Sequence, residues 1–308
     1  MITLEPSAEK VEYLKKFNIE TEIVIGINGK IASEEEIESR VSPLYSKIAP
    51  KGAIGCSISH MNVWSKFLET NDDYAIIFED DIVLEENFNE KLANALFEVP
   101  RTYDIIYLGC IGCDTNNLLF GKITKKIQLT SNIAKNDFAL GTHAYIVSRK
   151  GAQKLLLELD GKLNSPIDNS ITKLVDDGII ESYMVTPRIA HQTSADTTTS
   201  LNVSSNYPLI LTFILDKIYI DKFYNARYYF TNSFMRLGRF NLNKISVIFL
   251  IIGTVLSAKK INFKVITLWF LILSIPDIVS IRTVKDIEII LFFYFLLLLP
   301  TAISKILD

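Results

Sequence analysis

The chain has 308 residues, of which 49% are hydrophobic, and a formal net charge of −3 at neutral pH. This length fits one domain of about 200 residues with a further segment attached, and the small net charge excludes a strongly basic protein, so we expect no nucleic-acid partner. The cysteines, Cys56, Cys110 and Cys113, are too few for a disulfide framework, and we expect buried or free thiols in a reducing compartment.

Strand and helix patterns alternate along the first part of the chain. The spacing of apolar residues predicts helices at 11–17, 88–97 and 151–159, because one face of each segment repeats every three or four residues. Short apolar runs predict strands at 22–27, 74–78, 104–108, 144–148 and 179–185. Such a rhythm is typical of an α/β sheet covered by helices.

Three consecutive carboxylates, Glu79, Asp80 and Asp81, follow the buried strand predicted at 74–78. Their mutual repulsion is costly unless a cation compensates it, and carboxylate oxygens together with diphosphate oxygens are usual ligands of divalent ions. Ligands of open α/β sheets gather at the carboxyl ends of strands. The triplet therefore predicts a metal–diphosphate site, with a solvated turn or a helix cap as the alternative.

A glycine-rich segment with a histidine lies about twenty residues upstream of the carboxylates. Gly52 and Gly55 permit a tight turn, and Ser57 is suited to cap a helix whose buried face includes Trp64. The helix N-terminus would then suit an anion, with His60 in the first turn. The alternative for His60 is a structural hydrogen bond.

Four segments in chain order carry a resemblance to a known family. They are Gly55-Cys56-x-x-Ser59-His60 with Trp64 and Phe78-Glu79-Asp80-Asp81, then 141–152, then Pro166-Ile167-Asp168, then 187–192 with the Ser/Thr-rich stretch after it. Together they resemble the family 25 glycosyltransferases, the lipooligosaccharide biosynthesis group that also includes collagen galactosyltransferases. The start of the chain departs from the family pattern, because Lys10 stands where Arg is usual.

The resemblance implies a GT-A-like, Rossmann-related fold, a nucleotide-sugar donor of the UDP-galactose kind and a Mn²⁺ (or Mg²⁺) cofactor. On that basis we expect metal ligands at Asp81, Glu79 and His191, and donor-binding residues at Glu79, Asp80, His60, Ser59 and Thr142. The acceptor hydroxyl must lose its proton, and a carboxylate in reach is the natural general base. Asp168 is the candidate, and its alternative role is the N-cap of a helix over 169–175. His143 is a secondary candidate for metal or phosphate contact.

The composition changes near residue 204, which predicts a boundary there, followed by an aromatic and basic connection over 205–243 and an apolar helical region over 244–308. The resemblance implies that residues 1–204 form the glycosyltransferase domain. Residues 1–204 hold 20 Lys/Arg against 29 Asp/Glu, and the remainder holds 12 against 6. Apolar segments occur at 245–258, 265–281 and 287–303. The first spans only about 21 Å as a helix, so we expect an interfacial helix followed by a two-helix membrane hairpin. The alternative is a buried helical hairpin.

The resulting expectation is a glycosyltransferase at the inner (cytoplasmic) membrane with its catalytic domain on the cytoplasmic face. It would extend a lipid-linked glycan such as lipooligosaccharide core, with inversion at the anomeric carbon. One alternative is a catalytically inactive membrane-bound scaffold of glycan assembly. Another is a metal-dependent phosphoryl hydrolase, which predicts a second cluster of metal ligands.

Overall fold

The computed structural model describes residues 1–111, 126–136, 139–193, 207–219 and 224–307. The chain divides into two compact units, Met1–Thr193 and Ser194–Asp308. Cys113 and the Ser/Thr-rich stretch beyond Thr193 lie outside the described residues. The finer division at residues 204 and 243 stays a prediction.

The first unit is built around a mixed sheet. The strands of the unit are β1 (Ile2–Thr3), β2 (Val24–Ile25), β3 (Tyr74–Phe78), β4 (Ile82–Leu84), β5 (Ile105–Ile111), β6 (Lys126–Gln128), β7 (Ile133–Asn136), β8 (Leu140–Ser148), β9 (Ser182–Val185) and β10 (Ala190–Gln192). β1 pairs with β2, and β4 pairs with β10, outside the main sheet. Among the described residues, six strands form the order β3-β8-β5-β9-β7-β6. β8 runs antiparallel to both β3 and β5, while β5 and β9 are parallel. The sheet is therefore mixed, and the predicted α/β class is confirmed.

Helices cover both faces of this sheet. They are α1 (Ala8–Lys15), α2 (Glu34–Arg40), α3 (Pro43–Ile48), α4 (Lys51–Leu68), α5 (Phe88–Glu98), α6 (Arg149–Leu159) and α7 (Ile167–Asp176). Because side chains alternate along a strand, Tyr145 and Val147 of β8 pack with α4, α6 and α7, whereas Ala144 and Ile146 pack with α1 and α5. The first unit is thus a helix–sheet–helix sandwich.

The helix that carries His60 begins earlier than the glycine pattern predicts. α4 starts at Lys51 after Pro50, so His60 lies in its third turn, and Ser57 Oγ donates to the carbonyl oxygen of Ala53 at 2.7 Å. The predicted anion-binding helix start at Ser57 is therefore wrong. Gly55 lies inside α4 and does not form a turn. It permits close packing, because a Cβ at this position would lie 2.2 Å from the carbonyl oxygen of Ile27.

The cysteines differ from one another. Cys56 is free, as expected, whereas Cys110 on β5 is disulfide-bonded. The expectation of a free thiol at Cys110 is therefore wrong.

The second unit is mainly helical and has its own core. Its elements are α8 (Leu209–Leu215), α9 (Ala226–Thr231), β11 (Ser233–Leu237), β12 (Phe240–Asn243), α10 (Lys244–Ala258), α11 (Phe263–Val279) and α12 (Val284–Leu307). The three predicted apolar segments are thus helices. Tyr207, Phe249, Phe270 and Phe293 meet in the core of the unit with ring centroids 4.8–6.4 Å apart. In the described part of the chain, Val284–Ile306 is the one helix long and apolar enough to cross a membrane.

Close helix contacts and buried polar groups fix this second core. A Cβ at Gly253 of α10 would lie 2.3 Å from the carbonyl oxygen of Leu297 on α12, so only glycine allows these backbones to approach. Asp277, which interrupts the apolar pattern of α11, accepts from the backbone N–H of Leu209 at 3.1 Å. That bond satisfies a free N–H at the start of α8.

Candidate functional site

The three consecutive carboxylates lie at the carboxyl end of β3, and their side chains have different partners. Asp80 accepts from the Thr3 hydroxyl and from Lys10 Nζ, the latter at 2.7 Å. A parallel bridge joins Ile2 to Glu79, so the start of the chain lies against this edge. Asp80 is thus already neutralised by Lys10, the residue that stands where the resemblance leads one to expect Arg.

Glu79 is held by residues from α4 and β8. Its Oε1 lies 3.2 Å from His60 Nε2 and accepts from Thr142 Oγ1 at 2.8 Å. Burial pushes the pKa of Glu79 upward, but the hydrogen bonds that it makes with His60 and Thr142 oppose this effect, and the pKa is lowered overall. Glu79 is therefore an ionised, oriented carboxylate.

Asp81 has fewer hydrogen-bond partners than Glu79. Its Oδ2 accepts from Gln192 Nε2 at 2.9 Å, while its Oδ1 is buried without a hydrogen-bond partner. Burial and repulsion by Glu79 raise the pKa of Asp81 to about 7. A buried carboxylate oxygen without a donor beside a second carboxylate fits a hard divalent cation such as Mn²⁺ or Mg²⁺.

Gln192 is the residue of this site that the sequence pattern did not single out. It ends β10, which pairs with β4 so that Gln192 lies opposite Ile82, and its amide reaches Asp81 at 2.9 Å and Glu79 at 3.5 Å. The closing segment of the resemblance ends at this residue. Its polar side chain at the end of a strand is the signal that could have identified it.

His191, the third expected metal ligand, is directed elsewhere. Its Nε2 lies 2.7 Å from Glu85 Oε1. Adjacent residues of a strand project to opposite sides, so His191 projects away from the side on which Gln192 meets Asp81. The structure does not bring His191 to Glu79 and Asp81.

Asp168 lies in the first turn of α7, after the N-cap residue Pro166. Its Oδ2 accepts from the backbone N–H of Gly141 at 3.1 Å, and its Oδ1 accepts from that of Asn169 at 2.8 Å. Burial raises the pKa of Asp168, and the negative charge of Glu79 adds to the rise. The pKa of Asp168 therefore lies above that of an ordinary aspartate, and burial is the main cause.

Two other candidates have structural partners. Ser59 Oγ accepts from the backbone N–H of Ile27 at 2.7 Å and donates to the carbonyl oxygen of Gly55 at 2.7 Å. His143 is fully buried, and a Cβ at Gly109 would lie 2.5 Å from its Nε2. The Ser59 hydroxyl fastens the loop after β2 to α4, and Gly109 makes room for the His143 ring.

Comparison with known proteins bears on what this arrangement does. The sequence profile of glycosyltransferase family 25 (LPS biosynthesis protein) matches residues 2–171. The chain belongs to glycosyltransferase family 25. The matched span contains His60, Thr142, Asp168 and the three consecutive carboxylates, whereas Gln192 lies beyond it.

Curated relatives of this family 25 chain include animal proteins and a putative glycosyltransferase of Haemophilus influenzae, which is 37% identical over 125 residues, 40% of this chain and 41% of the relative. A procollagen galactosyltransferase 1 of Danio rerio is 27% identical over 177 residues, which are 54% of this chain and 28% of the relative. A glycosyltransferase 25 family member of Anopheles gambiae is 26% identical over 197 residues, 59% of this chain and 32% of the relative. Procollagen galactosyltransferase 2 of Homo sapiens is 25% identical over 149 residues, 45% of this chain and 23% of the relative. The chain thus spans about a third or less of the length of these animal relatives.

Within the described residues, one group of three metal-ligating side chains has its ligand atoms within 4.8 Å of one another, namely Cys56, His60 and Glu79. This group includes Glu79 itself. It is not the separate second cluster that a phosphoryl hydrolase predicts.

Proposed function

We propose that this family 25 chain transfers a sugar, galactose in the first instance, from a UDP-galactose-like donor to a lipid-linked glycan. The observation that carries the proposal is the pair Glu79 and Asp81, with the buried, partnerless Asp81 Oδ1, at the carboxyl end of β3 inside the matched span. The helix–sheet–helix sandwich supports a GT-A-like, Rossmann-related domain, in which ligands bind at strand carboxyl ends.

Asp81 is the main metal ligand in this proposal. Glu79 contributes Oε2, which lies 3.5 Å from the Gln192 amide nitrogen that also contacts Asp81. A bound Mn²⁺ or Mg²⁺ supplies Lewis-acid stabilisation of the negative charge that grows on the leaving nucleoside diphosphate. Gln192 holds the Asp81 carboxylate in position through its 2.9 Å hydrogen bond. Thr142 and His60 hold the other oxygen of Glu79 and set its direction toward donor or metal.

Asp168 is the proposed general base. It takes the proton of the acceptor hydroxyl as that oxygen attacks the anomeric carbon from the face opposite the leaving group, which inverts the centre. A base is most effective when its pKa approaches the working pH, and burial raises the pKa of Asp168 in this direction. Its two backbone hydrogen bonds fix the carboxylate at the junction of α7 and β8.

The second unit is the proposed membrane anchor, at the inner membrane with the first unit on the cytoplasmic face. Large apolar side chains on all three long helices are strongly exposed, including Ile251 at 58%, Trp269 at 67% and Phe295 at 53%. Such an apolar surface is unusual for a soluble protein and suits lipid. A lipid-linked acceptor stays in the bilayer, so anchoring the enzyme there raises the effective concentration of both partners.

The proposal is tested by transfer itself. Full-length protein in detergent is given UDP-[³H]galactose, Mn²⁺ and lipid-linked core glycans, and radioactivity is measured in the extracted lipid. Label on lipid that disappears in Asp81→Asn supports the proposal. Binding of the nucleotide sugar without turnover of any donor would favour an inactive scaffold instead.

A further inference from the structure

A buried chain of hydrogen bonds runs from the core of the first unit to Glu79. Trp64 Nε1 lies 2.8 Å from the Tyr145 hydroxyl, which lies 3.0 Å from His60 Nδ1, and His60 Nε2 lies 3.2 Å from Glu79 Oε1. Trp64, Tyr145 and His60 are each at most 1% exposed. These hydrogen bonds lead from Trp64 on α4 to Tyr145 on β8, back to His60 on α4, and from there to Glu79 at the end of β3.

The chemistry of its members gives this chain a direction. An indole N–H can only donate, so the Tyr145 oxygen accepts from Trp64. The single phenolic proton of Tyr145 is then available for His60 Nδ1, whose role as donor or acceptor depends on the tautomer. In a neutral imidazole one nitrogen accepts and the other carries the proton. Because an ionised Glu79 carboxylate can only accept, the arrangement that satisfies both ring nitrogens has the proton of His60 on Nε2, donated to Glu79 Oε1.

We propose that Trp64 and Tyr145 are positioning residues that fix the tautomer of His60 and, through it, the orientation of Glu79. His60 and Thr142 both donate to Oε1, so Oε2 is left to face Asp81 and the donor. Outer partners that orient a ligand carboxylate or histidine commonly contribute 10- to 100-fold, roughly, to metal affinity or activity. The consequence for donor binding rests on the proposed function, whereas the tautomer of His60 does not.

The opposite tautomer has a distinct meaning. A proton on Nδ1 would leave a lone pair on His60 Nε2, which lies 3.2 Å from Glu79 Oε1, and one ring nitrogen of His60 lies with Cys56 Sγ and a Glu79 oxygen within 4.8 Å of one another. Cys56 and His60 are four residues apart on α4 and so share one helix face. That tautomer would favour a thiol–imidazole–carboxylate metal site over a positioning chain, so the two arrangements exclude each other.

Tyr107 provides a matched control for the substitution of Tyr145. Tyr107 on β5 is paired directly with Tyr145 in the sheet register, it is 2% exposed, and its buried hydroxyl has no hydrogen-bond partner. Tyr107→Phe and Tyr145→Phe therefore each remove one buried phenolic oxygen from neighbouring positions. Only Tyr145→Phe removes the donor to His60 Nδ1.

The test is a long-range ¹H–¹⁵N spectrum of full-length protein in detergent, labelled with ¹⁵N-histidine, which reports the tautomer of each ring. The chain has three histidines, and loss of a signal set in His60→Gln assigns His60. We expect an Nε2–H tautomer in wild type and in Tyr107→Phe, and a mixture of tautomers in Tyr145→Phe. The affinity for Mn²⁺ with UDP should fall about 10- to 100-fold in Tyr145→Phe alone.

An Nδ1–H tautomer or an imidazolium in wild type overturns the proposal, as does an unchanged tautomer in Tyr145→Phe. If Tyr145→Phe does not fold, Trp64→Phe takes its place, because Tyr145 then loses its fixed donor and the same mixture is expected. An Nε2–H tautomer that responds as predicted, in a protein that turns over no nucleotide sugar, supports the positioning chain and counts against the proposed function only.

Discussion

Gln192 donates from Nε2 to Asp81 Oδ2 at 2.9 Å, and so joins the end of β10 to a carboxylate 111 residues earlier in the chain. The same amide nitrogen lies 3.5 Å from Glu79 Oε2. One neutral donor therefore bridges two carboxylates that would otherwise repel each other across the place where a cation is proposed.

The first prediction follows from that bridge. Gln192→Ala should weaken Mn²⁺ binding about 10-fold or more, because the carboxylates lose the group that orients them. His191→Gln is the neighbouring control on β10, and it should leave Mn²⁺ affinity unchanged since His191 contacts Glu85. Electron paramagnetic resonance of free Mn²⁺ measures both. A larger loss of affinity in His191→Gln than in Gln192→Ala would restore His191 as a metal ligand.

The second prediction concerns Asp81→Asn. Turnover that depends on manganese should disappear, since the main ligand is lost. The metal-free variant should also melt at a higher temperature than wild type at pH 8. The folded-state pKa of Asp81, about 7, lies above its ordinary value of 3.8, so the fold favours the protonated form and wild type loses stability as pH rises between those values. Asparagine does not ionise, so the variant does not lose this stability as the pH rises.

Melting curves of the metal-free proteins at pH 4 and pH 8 check the sign. The two proteins should differ little at pH 4 and most at pH 8. A variant that melts lower than wild type at pH 8 would show that the Asp81 charge has a stabilising partner, contrary to the site as described.

The third prediction concerns Asp168→Asn. As general base, Asp168 should be worth roughly 10²- to 10⁴-fold in kcat, while donor affinity should barely change. The melting temperature separates this role from a structural one, because the carboxylate also accepts from the N–H groups of Gly141 and Asn169. Early melting with normal specific activity would leave Asp168 as a helix-end residue only.

The extent to which the sequence anticipates the molecule differs between fold and site. The strand over Tyr74–Phe78 and the three C-terminal helices are predictable, because their apolar patterns are long or continuous and local. The start of α4 is not, since the reason for Gly55 is a close approach to Ile27, which is distant in sequence. Lys10 and Gln192 reach the carboxylates, and Tyr145 reaches His60, only through chain return and sheet pairing. No local pattern encodes these long-range contacts, even though the polar residue at a strand end marks Gln192 as a candidate.

The fourth prediction concerns the second unit. Full-length protein should sediment with membranes and stay there in high salt, because apolar insertion is not screened while headgroup attraction is. Trp269→Glu should shift protein toward the soluble fraction, since Trp269 is 67% exposed on α11. Phe97→Glu is the control, because Phe97 is 92% exposed on the first unit and should not affect sedimentation.

Membrane attachment through the second unit can also be tested with a shortened protein. Protein that ends at Ser204 should be more soluble, retain donor hydrolysis and lose efficiency on a lipid-linked acceptor. Full-length protein that remains monomeric and soluble without detergent would mean that the apolar helices are covered by other means.

The central claim is that the acidic edge of β3 activates a nucleotide sugar with the help of a divalent cation. The most direct measurement is release of nucleoside diphosphate from a panel of common nucleotide sugars, with manganese and with a chelator. The account predicts release from UDP-galactose that requires manganese. Release from every donor at the same rate with the chelator present, or from none of them, would contradict it.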